Sequence, residues 1–238
     1  MKPHSSTTLL AKYRNWANQQ IVWTAGFTKG DMHMSDTFYS YQLSNGHGLP
    51  HDPFKAIIAP RPIGWIASEN QSGIANLAPY SFFNAFNGAP PIIGFASVGF
   101  KDSVSNIKAT GEFCWSLATR ELADAMNASS AGVDPEIDEF ELAGLQKRSS
   151  TLVRVPHVAA SPASMECKVT QIIQLNDMHG EACDTWLVLG QVVAVHIQKA
   201  YLNDGVFDTA GANSIMRAGG PGDYFGVSAE AKFFMGRP

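Results

Sequence analysis

Residues 185–197 limit the choice of fold more than any other stretch of the chain. They read as one long strand with Trp186, Val188 and Val192 on one face and Leu187, Leu189, Val193 and Val195 on the other. A strand that is apolar on both faces must be covered on both. A second long strand is expected over 164–175. Helical patterns elsewhere are too short and too few to alternate with strands in a doubly wound α/β sheet. The expected class is therefore all-β dominated, a β-barrel with short helical insertions. For a strand that is apolar on both sides, a second copy of the chain is a natural cover.

The rest of the β-rich region starts near residue 52. Residues 56–59 and 63–67 are short apolar runs bounded by prolines, and Pro60 and Pro62 hold Arg61 in an extended link. Gln71-Ser72-Gly73 reads as a hairpin turn. Further strands are expected over 81–86, 92–97 and 113–118. Short helices are expected from Ser103, as N-cap, to Lys108 with Gly111 ending the helix, and over 121–127 and 137–142.

Before residue 34 the texture differs. Leu9, Leu10, Tyr13, Trp16, Ala17 and Ile21 recur at helical spacing. Residues 1–33 are read as an N-terminal extension built on one helix, and 34–238 as the main domain. The stretch LLAKYRNWANQQIV is similar to the first helix of DinB-like bundle proteins. One helix cannot make such a bundle, so an extension, a relic and a start codon upstream of Met34 all stay open.

Composition excludes several function classes. With 238 residues, 45% of them hydrophobic and a net charge of -4, the chain can bury a full core but offers no basic surface for nucleic acid. It has no apolar run long enough to span a bilayer and no secretory pattern at its start, so the expected location is cytoplasmic. Cys114, Cys167 and Cys183 are scattered, as suits free thiols in a reducing compartment. Gly46-His47-Gly48 is followed by His51 where the dinucleotide fingerprint needs a third glycine. Walker A, HExxH and GxSxG patterns are absent. His47 and His51 are four apart, but Gly48 and Pro50 break the helix that would align them. The remaining histidines stand alone in the sequence, so no metal site is expected.

The segment from Arg61 to Asn106 carries the chemistry. A phosphate calls for a cation, hydroxyl donors and open backbone N–H groups. Lys101-Asp102-Ser103 at a helix start offers all three, with Arg61, Ser97 and Asn106 as further donors. A flat heteroaromatic ring calls for an apolar face and hydrogen bonds at its rim. Ser81, Phe82, Phe83 and Asn84 can supply both, and Ser68 adds a rim donor. No side chain stands out as a nucleophile or general acid, so no catalytic residue is assigned.

Taken in order, RPIGWIAS (61–68), NLAPYSFFN (76–84), PPIIGFAS (90–97), KDSVSNI (101–107) and DEFELAGL (138–145) resemble the flavin reductase-like family from about Tyr39 to Arg217. The resemblance implies an FMN-binding split barrel of Greek-key type, a homodimer, and FMN near the subunit interface. It implies Arg61, Ser97, Lys101, Asp102, Ser103 and Asn106 at the phosphate and ribityl end, with Ser68 and Ser81 through Asn84 at the ring. It further implies an oxidoreductase with NAD(P)H as donor and a monooxygenase or other protein as acceptor. A flavoredoxin-like electron carrier and a non-catalytic flavin-binding module stay open as alternatives. Where many relatives carry Thr this chain has Ser103, which keeps the hydroxyl. The ending 217–224 matches the family pattern only loosely.

Overall fold

The computed structural model describes residues 37–238. The expected N-terminal helix lies outside them. Contacts divide the chain between Gly48 and Leu49. In the described part of the first unit, Leu43–Asn45 forms a single 3-10 turn and Tyr39 donates to the His47 carbonyl at 3.0 Å.

The second unit is built on one seven-stranded antiparallel sheet. Its strands are β2 (Gly64–Glu69), β3 (Ala75–Tyr80), β4 (Phe83–Gly88), β5 (Pro91–Val98), β6 (Glu112–Ser116), β9 (Ala163–Asn176) and β10 (Ala182–Ile197), in the order β3-β2-β6-β9-β10-β5-β4. A short β1 (Arg61–Pro62) pairs instead with β13 (Ile215–Arg217), which pairs with β14 (Tyr224–Gly226). β7 (Lys147–Arg148) and β8 (His157–Val158) form a small ladder, as do β11 (Leu202–Asn203) and β12 (Val206–Phe207).

Chain continuity decides the shape of the large sheet. β3 and β4 are its two edges, yet β3 ends at Tyr80 and β4 begins at Phe83. That link spans at most about 10 Å of extended chain, so the edges must curl toward each other. Tyr80 and Phe95, from β3 and β5, meet with ring centroids 4.5 Å apart. The ladder is not closed between β3 and β4, so the barrel is split.

Two buried clusters lie on opposite faces of β2, as strand alternation requires. Ile66 joins Tyr80, Phe95, Phe113, Trp115, Cys167, Val188 and Val192 inside the curl. Trp65 and Ala67 join Leu77, Cys114, Met126, Phe140, Val153 and Val155 on the other face. Four short helices serve this frame: α1 (Phe54–Ile57), α2 (Asp102–Thr110), α3 (Ala123–Ala128) and α4 (Glu139–Leu142). Met126 of α3 and Phe140 of α4 plug the second cluster.

Local expectations hold in outline, with corrections: the strand expected over 81–86 is Phe83–Gly88, and that expected over 113–118 is Glu112–Ser116. The run 56–59 is not extended, because α1 takes in its first two residues. α2 begins two residues earlier than expected, with Lys101 rather than Ser103 as N-cap, so Ser103 lies inside the first turn. The two later helices start at Ala123 and Glu139 rather than at 121 and 137. The long strands are as expected: β10 pairs with β9 on one side and β5 on the other. Gly190 of β10 lies so close to Phe113 that any Cβ there would collide with the ring.

Candidate flavin site

α2 supplies the anion-attracting end of the site. Lys101 precedes it in extended conformation, and no side chain caps the first turn. The first amides of a helix have no partner within the helix and carry the positive end of its dipole. Lys101 is exposed and makes no ion pair among the described residues. It lines a cavity of about 450 Å³ together with Asn76, Tyr80, Asp102, Ser103 and Glu139. A cation, a helix start without a side-chain cap and a cavity of this size fit a phosphate group.

Beneath this mouth lies a buried polar network. Ser103 Oγ donates to Asn76 Oδ1 at 2.7 Å, and Ser68 Oγ donates to the same oxygen at 3.2 Å. Asn106 Nδ2 reaches Ser68 Oγ at 3.4 Å. Asn76 Nδ2 in turn donates to Glu139 Oε1 at 2.8 Å, while Leu77 N donates to Glu139 Oε2 at 3.1 Å. Burial raises the Glu139 pKa, against these hydrogen bonds. Burial raises the pKa of the Tyr80 hydroxyl, against the pull of the neighbouring Ser103 and Ser97 hydroxyls. Ser97 is fully buried, and its own hydroxyl donates to the Gly99 carbonyl at 2.9 Å.

The structure therefore brings Ser68, Ser97, Lys101, Asp102, Ser103 and Asn106 together. Ser68, expected at the ring rim, hydrogen-bonds with Asn76 and with Asn106, the latter expected at the phosphate end. Asn76, Tyr80 and Glu139 complete the group. All three stand inside the quoted motifs, but nothing in their local pattern distinguishes a network residue from an ordinary strand or helix residue.

Arg61 lies elsewhere. Register pairs it with Arg217, and its guanidinium donates to the carbonyls of Lys55 and Ala218, the latter at 3.2 Å. It also lies 5.9 Å from the Phe82 ring centroid. Burial, then the charge of Arg217, lowers its pKa. Arg61, Ser81 and Arg217 line a second cavity of about 740 Å³, which shares no lining residue with the Lys101 cavity. Phe83 stacks on Trp115, with centroids 5.8 Å apart and planes 5° from parallel, so its ring belongs to the core. Asn84 is exposed and accepts from the Ala85 amide. Within one chain Lys101, Asp102 and Ser103 thus line one cavity, and Arg61 and Ser81 line another.

The chain matches the family described as "Flavin reductase like domain" over residues 58–212. It is 34% identical over 181 residues to an uncharacterised protein of Deinococcus radiodurans, covering 71% of this chain and 77% of that one. Nitrilotriacetate monooxygenase component B from Bacillus cereus superposes with a TM-score of 0.72 at 25% identity, covering 88% of this chain and all of the other. Flavoredoxin of Desulfovibrio vulgaris (Miyazaki F) shares the fold at a TM-score of 0.64 and 18% identity, over 75% of this chain and 90% of that one. Among the described residues no helix is long and apolar enough to cross a membrane. With its split antiparallel barrel and its match across most of the second unit, the chain belongs to the flavin reductase-like domain family.

Proposed function

We propose that this protein is an NAD(P)H-dependent flavin oxidoreductase that holds FMN and passes electrons to a separate acceptor. The observation that carries the reading is the helix start without a side-chain cap at α2 beside Lys101, set on the Ser68–Asn76–Ser103–Asn106 network. FMN, when bound, supplies hydride and single-electron chemistry. Lys101 and the first-turn amides of α2 hold its phosphate. The network under them keeps α2 at a set height above β3, so the amides need not reorganise when an anion arrives. Ser81, in the cavity it shares with Arg61, and Phe82, whose ring lies 5.9 Å from the Arg61 guanidinium, serve the ring, and Arg61 adds positive charge there. No general acid or nucleophile is required of the chain.

The working unit is a homodimer of the domain 34–238, and no role is assigned to residues 1–33. Its support is the apolar surface left on the long strands. Ile173 and Leu175, near one end of the β9–β10 ladder, and Val195 and Ile197, near its other end, are 37–53% exposed, although they belong to inner strands of the sheet. A partner that covers this surface also offers a way to complete a flavin site whose two halves face separate cavities. The likeness to nitrilotriacetate monooxygenase component B supports a monooxygenase as acceptor.

The test is the visible spectrum of the purified protein before and after NADPH or NADH is added without oxygen. Flavin bands that bleach, together with turnover of added FMN, support the reductase. A yellow protein that stays yellow favours a flavoredoxin-like carrier or a non-catalytic module. A colourless protein that does not take up FMN overturns the flavin reading.

A further inference from the structure

A second polar cavity lies away from both halves of the flavin site. It measures about 230 Å³ and is lined by Arg148, His157, Ser164, His196 and Gln198 among others, with no residue shared with the Lys101 or Arg61 cavities. His196 stands near the far end of β10 from Trp186, the register partner of Ser97. The two positions are on the order of 30 Å apart along the strand.

His157 is the residue that makes this cavity unusual. Its side chain is 2% exposed, and its Nε2 has no hydrogen-bond partner. The other ring nitrogen, Nδ1, lies 3.4 Å from Ser150 Oγ. The Ser150 hydroxyl gives its own proton to the Val155 carbonyl at 2.5 Å, so it can only accept from Nδ1. In the neutral ring, Nδ1 therefore carries the hydrogen and Nε2 is a bare buried lone pair. Leaving such an atom unpaired is unfavourable.

The charges around the ring come from several elements. Arg148 on β7 is the register partner of His157 on β8, is exposed, and makes no ion pair among the described residues. His196 on β10 stacks on His157, with centroids 4.9 Å apart and planes at 15°. Glu166 on β9 is fully engaged: it accepts from the amides of Thr151, Leu152 and Val153, from the Thr151 hydroxyl and from His196 Nε2 at 2.6 Å. Cys114 on β6 is buried behind Ser150, and burial pushes its thiol pKa up to about 12, so it stays neutral. The uncompensated charge is the cation of Arg148. It disfavours a metal ion and favours an anion.

We propose that this cavity is a second ligand site, which takes a small oxyanion between Arg148 and His157 and draws one proton onto His157 Nε2. The anion pairs with the Arg148 guanidinium, and the newly protonated Nε2 donates to it, so the orphaned atom gains its partner on binding. Without a ligand the ring stays neutral. Burial first, then His196 and Arg148, press its pKa down to about 4 against the opposing pull of Glu166. An anion in the cavity offsets these terms, so binding and protonation strengthen each other. The cavity has room for one phosphate or a carboxylate of a few carbon atoms. Arg148, His157 and His196 take no part in the flavin site, although Val195 and Ile197, which also line the cavity, belong to the apolar surface proposed for the subunit contact.

The imidazole resonances of His157, assigned by comparison with a His157→Asn variant, report this site alone. Acetate and inorganic phosphate are titrated separately into the full chain at about pH 6 and about pH 8. Expected are saturable shifts that mark protonation of the His157 ring, with affinity about tenfold or more higher at the lower pH. In Arg148→Gln, a surface change that leaves the core intact, affinity falls by about tenfold or more. A response to phosphate alone identifies a phosphate site, and a response to acetate alone identifies a carboxylate site. Absence of saturable shifts with both probes, shifts without ring protonation, or unchanged affinity in Arg148→Gln would each overturn the proposal.

Discussion

Ser103 Oγ donates to Asn76 Oδ1 at 2.7 Å across 27 residues of chain, and this bond fastens the first turn of α2 to β3. Asn76 holds Glu139 with its other end, so one side chain links α2, β3 and α4. Replacing Asn76 by Ala would leave Glu139 with an unmatched buried oxygen and Ser103 and Ser68 without their acceptor. The expected loss of stability is about 1–3 kcal/mol. Urea unfolding measures it, and a fall in FMN affinity should accompany the lower midpoint because α2 loses its seat.

Lys101→Ala removes an exposed cation and no packed atoms. FMN affinity should fall by about 1–3 kcal/mol, the range for a lost charge-assisted hydrogen bond, with the unfolding midpoint unchanged. Quenching of flavin fluorescence during titration reads the affinity. An unaltered affinity would remove Lys101 from the phosphate site.

Gly190→Ala should destabilise the barrel by about 1–3 kcal/mol, because the new methyl would overlap Phe113 inside the first cluster. Gly88→Ala is the matching control, since a Cβ there meets nothing within 4 Å. Thermal unfolding of the two variants side by side checks the difference.

Stability should decline on acidification in two stages. Burial works against the Glu166 carboxylate, but the Thr151 and Leu152 amides, His196 and the Thr151 hydroxyl outweigh it and hold its pKa at about 2. His157 is held at about 4 against an ordinary 6.5, by burial and then by its cationic neighbours. Both groups bind fewer protons when folded than when unfolded, so each stabilises the fold more as pH rises. The His157 contribution is complete above about 6.5 and is lost as pH falls toward 4; that of Glu166 is complete above 4.5 and is lost toward 2. His157→Asn should flatten the upper stage of a stability–pH curve measured by urea unfolding and leave the lower stage in place.

Val195→Glu places a charge on the exposed apolar part of β10. If that surface is the subunit interface, the variant should sediment as a folded monomer while the parent chain sediments as a dimer. A parent chain that is monomeric at micromolar concentration would refute the homodimer.

The sequence by itself determined what depends on near neighbours. A long run apolar on both faces marked β10 over 185–197, and Gly111 marked the end of α2, where it adopts φ 75°. The order of short motifs marked the family. Tertiary structure decided which of those residues meet. Arg61 and Lys101 read as partners for one phosphate, yet β1 leaves the large sheet to pair with β13 and carries Arg61 to another cavity. His157 and His196 read as two isolated histidines, yet β8 and β10 bring their rings into a stack. Local pattern encodes which face of a strand is apolar. It does not encode which distant strand lies alongside, and buried polar contacts arise only from that long-range register.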